Sequence, residues 1–158
     1  MNLQAVYEYD FQEWINHHIT LLNEGRWNEV DTEHLVNELE DMGKSNLREL
    51  DSRFIVLIAH LLKWEYQFKQ LQGKWITFTG GSWKGTISIQ RSNIIKLLKQ
   101  NPSLQNSLQH AISKAYPDAL ELAIEETGLA ESTFPLICPY TIEQLLDKKF
   151  YPECKPDV

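Results

Sequence analysis

The sequence predicts an all-α protein, an antiparallel helical bundle of about four main helices plus a short C-terminal helix. The first observation is that apolar residues recur at steps of three and four along four long stretches, the period of helices that bury one face. The second is that capping residues and Gly or Pro breaks join these stretches by short connections. The 158 residues are predicted to form a single domain, with a core at about 9–152, a loop at about 70–81 and an irregular tail at 147–158.

Capping residues define the first two predicted helices. Asp10 with Glu13 three residues later is typical of a helix start, and Gly25 is predicted to end that helix in a left-handed conformation. Asp31 and Thr32 are the candidate caps of the second helix, which continues through Gly43 unless that glycine breaks it. A rotation of 100° per residue puts eight of its side chains on one apolar face that we expect to be buried. They are Leu39, Met42, Leu50, Phe54, Leu57, Leu61, Trp64 and Phe68.

The third main helix is predicted after a loop of extended character that includes Trp75–Thr79. Ser82 is its predicted N-cap, and an Asn-Pro pair ends it near Gln100. The motif GGSWKGT in this region resembles a phosphate loop. Its lysine precedes the last glycine, so the required order G-K-[ST] is missing and we reject that interpretation.

The fourth main helix is predicted from about Leu104 to about Thr127. Pro117 lies in its interior and is expected to kink or split it, because proline lacks the backbone N–H. Thr141 and the glutamine three residues later form a predicted capping box. This box starts the short C-terminal helix, Ile142–Leu146.

Four polar side chains are candidates for a site in the bundle core. On the long helix, Arg53 projects from the centre of the apolar face, His60 lies within about 20° of it, and Glu49 lies at its edge. His18 lies on the apolar face of the preceding helix and is a candidate to face His60. Such a cluster would suit an enzyme, or a ligand or metal site in which Arg53 holds an anion. The competing interpretation is an Arg–Glu pair with a hydrogen-bonded histidine that serves only the fold.

Charge is unevenly distributed along the chain, whose net charge is −7. The range 63–99 carries seven basic residues and one acidic residue, interleaved with aromatic residues, as in surfaces that bind single-stranded nucleic acid. The competing interpretation places these aromatic residues in the core and the lysines on a solvated surface, and the acidic remainder of the chain favours it. The candidate nucleic-acid contacts are Lys69, Lys74, Trp75, Lys84 and Arg91.

Missing motifs argue against several other classes of protein. Cys138 and Cys154 are the only cysteines and neither has a partner at zinc-ligand spacing, so we expect no metal, no cofactor and no required disulfide. The first ten residues lack the basic and apolar regions of a signal peptide. The longest apolar run, Phe54–Leu62, is shorter than the roughly 20 residues that span a bilayer. We therefore expect a cytoplasmic protein that does not enter a membrane.

Several motifs of this sequence resemble those of one known family. They are ELEDMGKSNLRELDSR at 38–53, HLLKWEYQ at 60–67, KLLKQNPSL at 96–104, and ETGL followed by FPLICPYTIEQLL up to 146. They resemble the twenty-ninth family of domains of unknown function, which is abundant in cyanobacteria, and the likeness extends from about Tyr9 to Pro152. The resemblance implies an all-α cytoplasmic domain of cyanobacterial origin. It implies no activity, cofactor or catalytic residue.

Three functional hypotheses from different classes follow. The first is a non-enzymatic interaction or regulatory module that binds a protein partner or a second copy of itself, and it predicts a contiguous exposed apolar patch. The second is an enzyme or ligand site built on the four polar side chains. The third is single-stranded nucleic-acid binding through residues 63–99. We rank them in this order.

Overall fold

The structure, a computed structural model, describes residues 1–74 and 79–155, without the side chain of Lys74. Within these ranges the chain forms six α-helices, three short 3₁₀ helices and no β-strand, so the predicted all-α class is confirmed. No helix in these ranges combines the length and apolar character needed to cross a membrane. The α-helices are α1 Leu3–Tyr9, α2 Phe11–Asn23, α3 Thr32–Lys74, α4 Gly81–Gln100, α5 Leu108–Thr127 and α6 Ile142–Leu146.

The chain divides into two compact units, the N-terminal unit Met1–Ser45 and the C-terminal unit Asn46–Val158. Helix α3 contributes residues 32–45 to the first unit and the remainder to the second. The helix is continuous through Gly43, the position at which the sequence also allows a helix break. The single domain expected from the sequence stays a prediction.

The N-terminal unit begins with α1, a helix that the sequence did not predict. It packs on α2, with the ring centroids of Tyr7 and Trp14 5.1 Å apart. Helix α2 starts as predicted, because Asp10 Oδ1 accepts a hydrogen bond from the N–H of Glu13 at 3.0 Å. After its end Gly25 has a φ of +69°, so the left-handed termination is also confirmed.

Helix α3 buries its predicted apolar face in only one of the two units. In the N-terminal unit the prediction of burial is wrong, because the side chains of Leu39 and Met42 are 57% and 66% exposed. Periodicity identifies the apolar side of a helix, whereas burial needs a neighbouring element on that side. In the C-terminal unit the prediction is confirmed for Leu50, Phe54, Leu57, Leu61 and Trp64.

The C-terminal unit has one apolar core, built by α3, α4, α5 and α6. Several polar contacts connect α3 to the elements around it, and two of them are short. Lys63 Nζ lies 2.6 Å from Glu126 Oε2 on α5, and the hydroxyl of Tyr140 donates to Glu65 Oε2 at 2.7 Å. The centre of this core contains fully buried side chains from each helix, among them Leu57, Ile58, Ile87, Ile94, Ala115, Ala119 and Leu145.

The helices of this unit differ from the prediction at several places. The loop predicted at about 70–81 begins too early, because α3 continues to Lys74; residues 75–78 of that loop lie outside the described residues. Helix α4 begins directly after Gly80, so Ser82 falls inside its first turn and is not its cap. A 3₁₀ helix at 102–107 precedes α5, which therefore begins at Leu108. Pro117 lies inside α5 without splitting it, and its ring is exposed. The predicted capping box of α6 is present.

We predict that a side chain at Gly80 costs more than one at Gly128, although φ is +71° at both. A Cβ at Gly80 would lie 2.5 Å from a ring atom of Phe68 and 2.8 Å from one of Trp64, whereas at Gly128 no described atom lies within 4 Å. Gly128→Ala should lower the free energy of unfolding by about 1–2 kcal/mol, the cost of left-handed backbone. Gly80→Ala should lower it further, because the rings must move. Urea denaturation measures both, and equal losses would contradict the prediction.

Candidate functional site

His18, the first of the four predicted core residues, is 2% exposed and belongs to the N-terminal unit. Its Nε2 accepts a hydrogen bond from the backbone N–H of Asp31 at 2.9 Å. Its Nδ1 must therefore carry the proton of the neutral ring, and it donates to the carbonyl of Trp14, also at 2.9 Å. Both ring nitrogens are occupied, which leaves neither for the predicted cluster.

The other three predicted core residues lie in the C-terminal unit, where only two of them meet. Arg53 Nη2 lies 3.5 Å from Glu49 Oε1, and its Nη1 donates to Gln90 Oε1 at 3.4 Å. The Arg53 side chain is 32% exposed, so the expectation of a buried pair is wrong. An ion pair this long and this exposed contributes little to stability.

His60 is bound to its own helix. Its Nδ1 lies 2.9 Å from the carbonyl of Val56, one turn earlier on α3. Burial lowers the pKa of His60, and the positive charge of Lys63 lowers it further. Within 1–74 and 79–155, no three His, Cys, Asp or Glu side chains are grouped as a metal site would require.

Arg91 is wrongly predicted as a nucleic-acid contact, because it is 0% exposed. Its Nε donates to the carbonyl of Leu145 at 2.9 Å and its Nη2 to that of Gln144 at 3.1 Å, which satisfies the last carbonyls of α6. The guanidinium also lies over the rings of Phe150 and Tyr151. The sequence carried a signal for this burial, since Arg91 lies four residues after Ile87 and three before Ile94 on α4.

The other basic residues that are candidate nucleic-acid contacts lie in different local environments. Lys84 is exposed, with its Nζ 5.5 Å from the ring centroid of Trp64, which is itself buried. Lys69 is exposed on α3. The side chain of Lys74 and the whole of Trp75 lie outside the described residues. Nucleic-acid binding through this segment stays a prediction, now without Arg91.

The N-terminal unit carries an open groove lined mainly by apolar side chains, which we call the α2–α3 groove. It encloses about 370 Å³ between one row of side chains on α2 and another on α3. Ile19 and Phe11 on α2 are 53% and 43% exposed, and Leu39 and Met42 form the exposed wall on α3. The side chains that line it are Phe11, Trp14, Ile15, His18, Ile19, Leu22, Leu35, Glu38, Leu39 and Met42.

A group of hydrogen bonds around Asp31 holds the two walls of the groove together. The Asp31 carboxylate accepts from Trp14 Nε1 at 3.1 Å, from the N–H of His34 at 3.3 Å and from His34 Nδ1 at 2.7 Å. Burial disfavours its charge, but the hydrogen bonds from His34 and Trp14 outweigh burial and lower its pKa. With the backbone bond to His18, these contacts connect the inner side of α2 to the first turn of α3.

Glu38 is the carboxylate that lines the groove. Its Oε1 accepts a hydrogen bond from the hydroxyl of Tyr7 at 2.5 Å. The Tyr7 ring stacks on His34, with 4.0 Å between the ring centroids. The bond to Glu38 raises the pKa of Tyr7, and the negative charges of Asp41 and Asp31 add to the increase. The rim of the groove on this side is therefore acidic.

The sequence of α2 contains a signal for this groove, but apolar periodicity alone does not show which side chains are buried and which are open. Helix α2 carries Phe11, Ile15, Ile19 and Leu22 on one row, next to a second row formed by Trp14 and Leu21. Trp14 and Leu21 are buried, and the other row is open. The apolar arc of α2 is wider than the area that one packed helix can cover. A helix with so wide an arc can pack against a second neighbour.

Comparison with known families identifies one match. Residues 6–151 match the family model described as Domain of unknown function DUF29. This range contains all the motifs on which the resemblance was based. No curated protein and no solved structure matches the chain.

We predict that Asp31→Ala destabilises the N-terminal unit by more than an ordinary loss of a helix cap. Asp10→Ala is the matched control, because Asp10 caps α2 through a single bond to Glu13, and its loss should cost about 1 kcal/mol. Asp31→Ala removes a cap and also leaves the buried Trp14 Nε1 and the half-buried His34 without their hydrogen-bond acceptor, so it should cost about 2–4 kcal/mol. Amide hydrogen exchange of α2 measures the difference, and equal protection in the two variants would contradict it.

We also predict that His60 makes stability fall as the pH is lowered. Its folded pKa lies below the value of about 6.5 for an unperturbed histidine, so the unfolded chain binds the proton first. Stability from this group is present above about pH 6.5 and is lost as the pH falls towards the folded pKa. Urea denaturation at several pH values should show a smaller loss for His60→Gln than for the wild type. Parallel pH profiles would contradict this.

Proposed function

Because this chain belongs to the DUF29 family, whose description assigns no activity, we propose from its own surface that it is a non-enzymatic, cytoplasmic protein-interaction module. The proposal commits to one binding mode, in which the α2–α3 groove receives an amphipathic helix of another protein. A regulatory role would follow from that binding. The cytoplasmic location is supported by the two cysteines, Cys138 and Cys154, which are both free thiols.

The observation that carries this proposal is the exposure of the groove. Four large apolar side chains, Phe11, Ile19, Leu39 and Met42, are each at least 43% exposed and line a single concave surface. Isolated exposed apolar residues are ordinary, whereas a contiguous concave group marks a surface that another molecule covers. Burying a fully exposed side chain of this size contributes about 1.5–3 kcal/mol, and covering one that is about half exposed contributes about half of that, so the four together give a partner substantial apolar area.

The shape of the groove favours a helix as the occupant. The open row on α2 extends from Phe11 to Leu22, which at 1.5 Å per residue is about 17 Å, or about three helical turns. The second wall is a row on another helix, from Leu35 to Met42. Two helices side by side with an open seam are completed by a third helix, whose anchors at i, i+4 and i+7 enter the seam. The methionine at its mouth suits a binding surface that must adapt to its ligand.

We predict that a photocrosslinking residue placed at Met42 in the native host captures a specific protein, whereas the same residue at the exposed Gln105 of the other unit does not. p-Benzoyl-phenylalanine is suitable, and mass spectrometry of the adduct should locate the crosslink in a helical segment of the partner. That partner, once purified, should bind the wild-type chain directly. Equal capture at the two positions would overturn the proposal, and capture of a second copy would replace the partner by a homodimer.

A groove substitution supplies the control for specificity. Leu39→Lys replaces an apolar contact of the seam by an ammonium group that a bound helix would have to desolvate against its apolar anchors, so binding should weaken by about tenfold or more. In the free chain Leu39 is already 57% exposed, so the unfolding free energy should change by less than about 0.5 kcal/mol. Unchanged binding of the purified partner by a folded Leu39→Lys chain would contradict the proposed site.

A further inference from the structure

We infer that the helix received by the α2–α3 groove is basic, with Lys or Arg flanking its apolar row. This inference rests on the proposed function, since it specifies the chemistry of the partner at the same site. Its evidence is the charge of the N-terminal unit, which is independent of the apolar side chains that define the groove.

The N-terminal unit concentrates the negative charge of the whole chain. Residues 1–45 contain ten acidic and two basic residues, a net charge of −8, whereas residues 46–158 contain twelve acidic and thirteen basic residues, a net charge of +1. Arg26, one of the two basic residues, is already paired with Glu24 at 2.7 Å and with Glu29 at 2.5 Å. The other eight acidic residues of this unit form no ion pair with Arg26.

Some of this charge lies at the groove itself. Glu38 lines it, and Tyr7 occupies Oε1 of this carboxylate, so that Oε2 can receive a cation from a bound helix. Asp41 follows Glu38 by three residues on α3, is exposed, and acts on the same Tyr7 hydroxyl. A basic residue beside the apolar anchors of the partner would meet Glu38 in the groove and the charge of Asp41 one turn away on the same helix, and such charges set orientation and association rate.

The same charge disfavours the other occupants of an apolar groove. A second N-terminal unit would bring another −8 to the interface, and like charges across an interface cost several kcal/mol. Nucleic acids and anionic membranes are also negative and would be repelled. An acidic helix would meet the same repulsion as a second copy. A basic amphipathic helix is the occupant that satisfies both the apolar seam and its acidic rim.

The test uses three synthetic peptides of about 15 residues, long enough to fill a seam of three turns. The first has Leu at i, i+4, i+7 and i+11 with Lys at the flanking positions. The second replaces every Lys by Glu. The third has the composition of the first in an order that destroys the apolar row. Each is titrated calorimetrically into the full-length chain at low and high salt, with Leu39→Lys and the double variant Glu38→Gln, Asp41→Asn as controls.

We expect the Lys peptide to bind at least about tenfold more tightly than the Glu peptide and the reordered peptide at low salt. The preference over the Glu peptide should shrink at high salt, because the Debye length falls from about 10 Å at 0.1 M to about 3 Å at 1 M. Glu38→Gln with Asp41→Asn should reduce the same preference and leave binding of the Glu peptide unchanged or improved. Leu39→Lys should weaken the Lys peptide.

The possible failures are distinguishable. If the Lys and Glu peptides bind equally and Leu39→Lys weakens both, the groove binds helices without charge preference, which overturns this inference and leaves the proposed function in place. If the Lys peptide and its reordered version bind equally and neither responds to Leu39→Lys, the chain attracts cations without using the groove. That result would overturn both.

Discussion

The N-terminal unit depends on a reciprocal contact between Asp31 and the inner side of α2. The backbone N–H of Asp31 donates to the buried ring of His18, while its carboxylate accepts from Trp14, one turn earlier on the same helix. Because His18 accepts at Nε2, its remaining proton lies on Nδ1, and its donation to the carbonyl of Trp14 keeps it within the helix. All these polar groups are satisfied, so the contact can be buried without a large desolvation penalty.

This contact explains how an apolar groove can remain open. The two helices are connected by buried polar groups on one side of α2, with Trp14 and Leu21 packed beside them. The row formed by Phe11, Ile15 and Ile19 is then not needed to hold the unit together and lies open to solvent. A surface built in this way can gain or lose a partner without unfolding the unit that carries it. The C-terminal unit has the opposite character, since its apolar rows on α3, α4 and α5 meet in a closed core.

Local signals in the sequence predicted most of the fold. Asp10, Asp31 and Thr141 act as caps where the sequence predicted them, and Gly25 has the predicted positive φ. These features depend on a few neighbouring residues, so a short stretch of sequence determines them. For helix α4 the sequence predicts the cap two residues late, at Ser82, because the actual cap is Gly80, which has no side chain to signal it.

The α2–α3 groove is harder to predict from the sequence, because its existence depends on which apolar rows pack against another helix and which do not. Leu39 and Leu50 belong to the same predicted face of one helix, yet one is exposed and the other is fully buried. The sequence predicts a buried Arg53, which is about one-third exposed, and a surface Arg91, which is completely buried. Periodicity gives the direction of a side chain but not the position of the next helix. Only the tertiary structure separates an apolar face that is packed in a core from one that stays exposed to solvent.

Methionine oxidation footprinting, of the chain inside its native cells and in purified form, measures whether another molecule covers the α2–α3 groove. The chain has two methionines, Met42 in the groove and Met1 outside it, which are 66% and 77% exposed in the structure. In the purified chain hydroxyl radicals should oxidise both thioethers readily. Inside the cell a bound helix should protect Met42 strongly while Met1 stays reactive. Equal oxidation of Met42 in the cell and in purified form would show that nothing covers the groove, and would contradict the account.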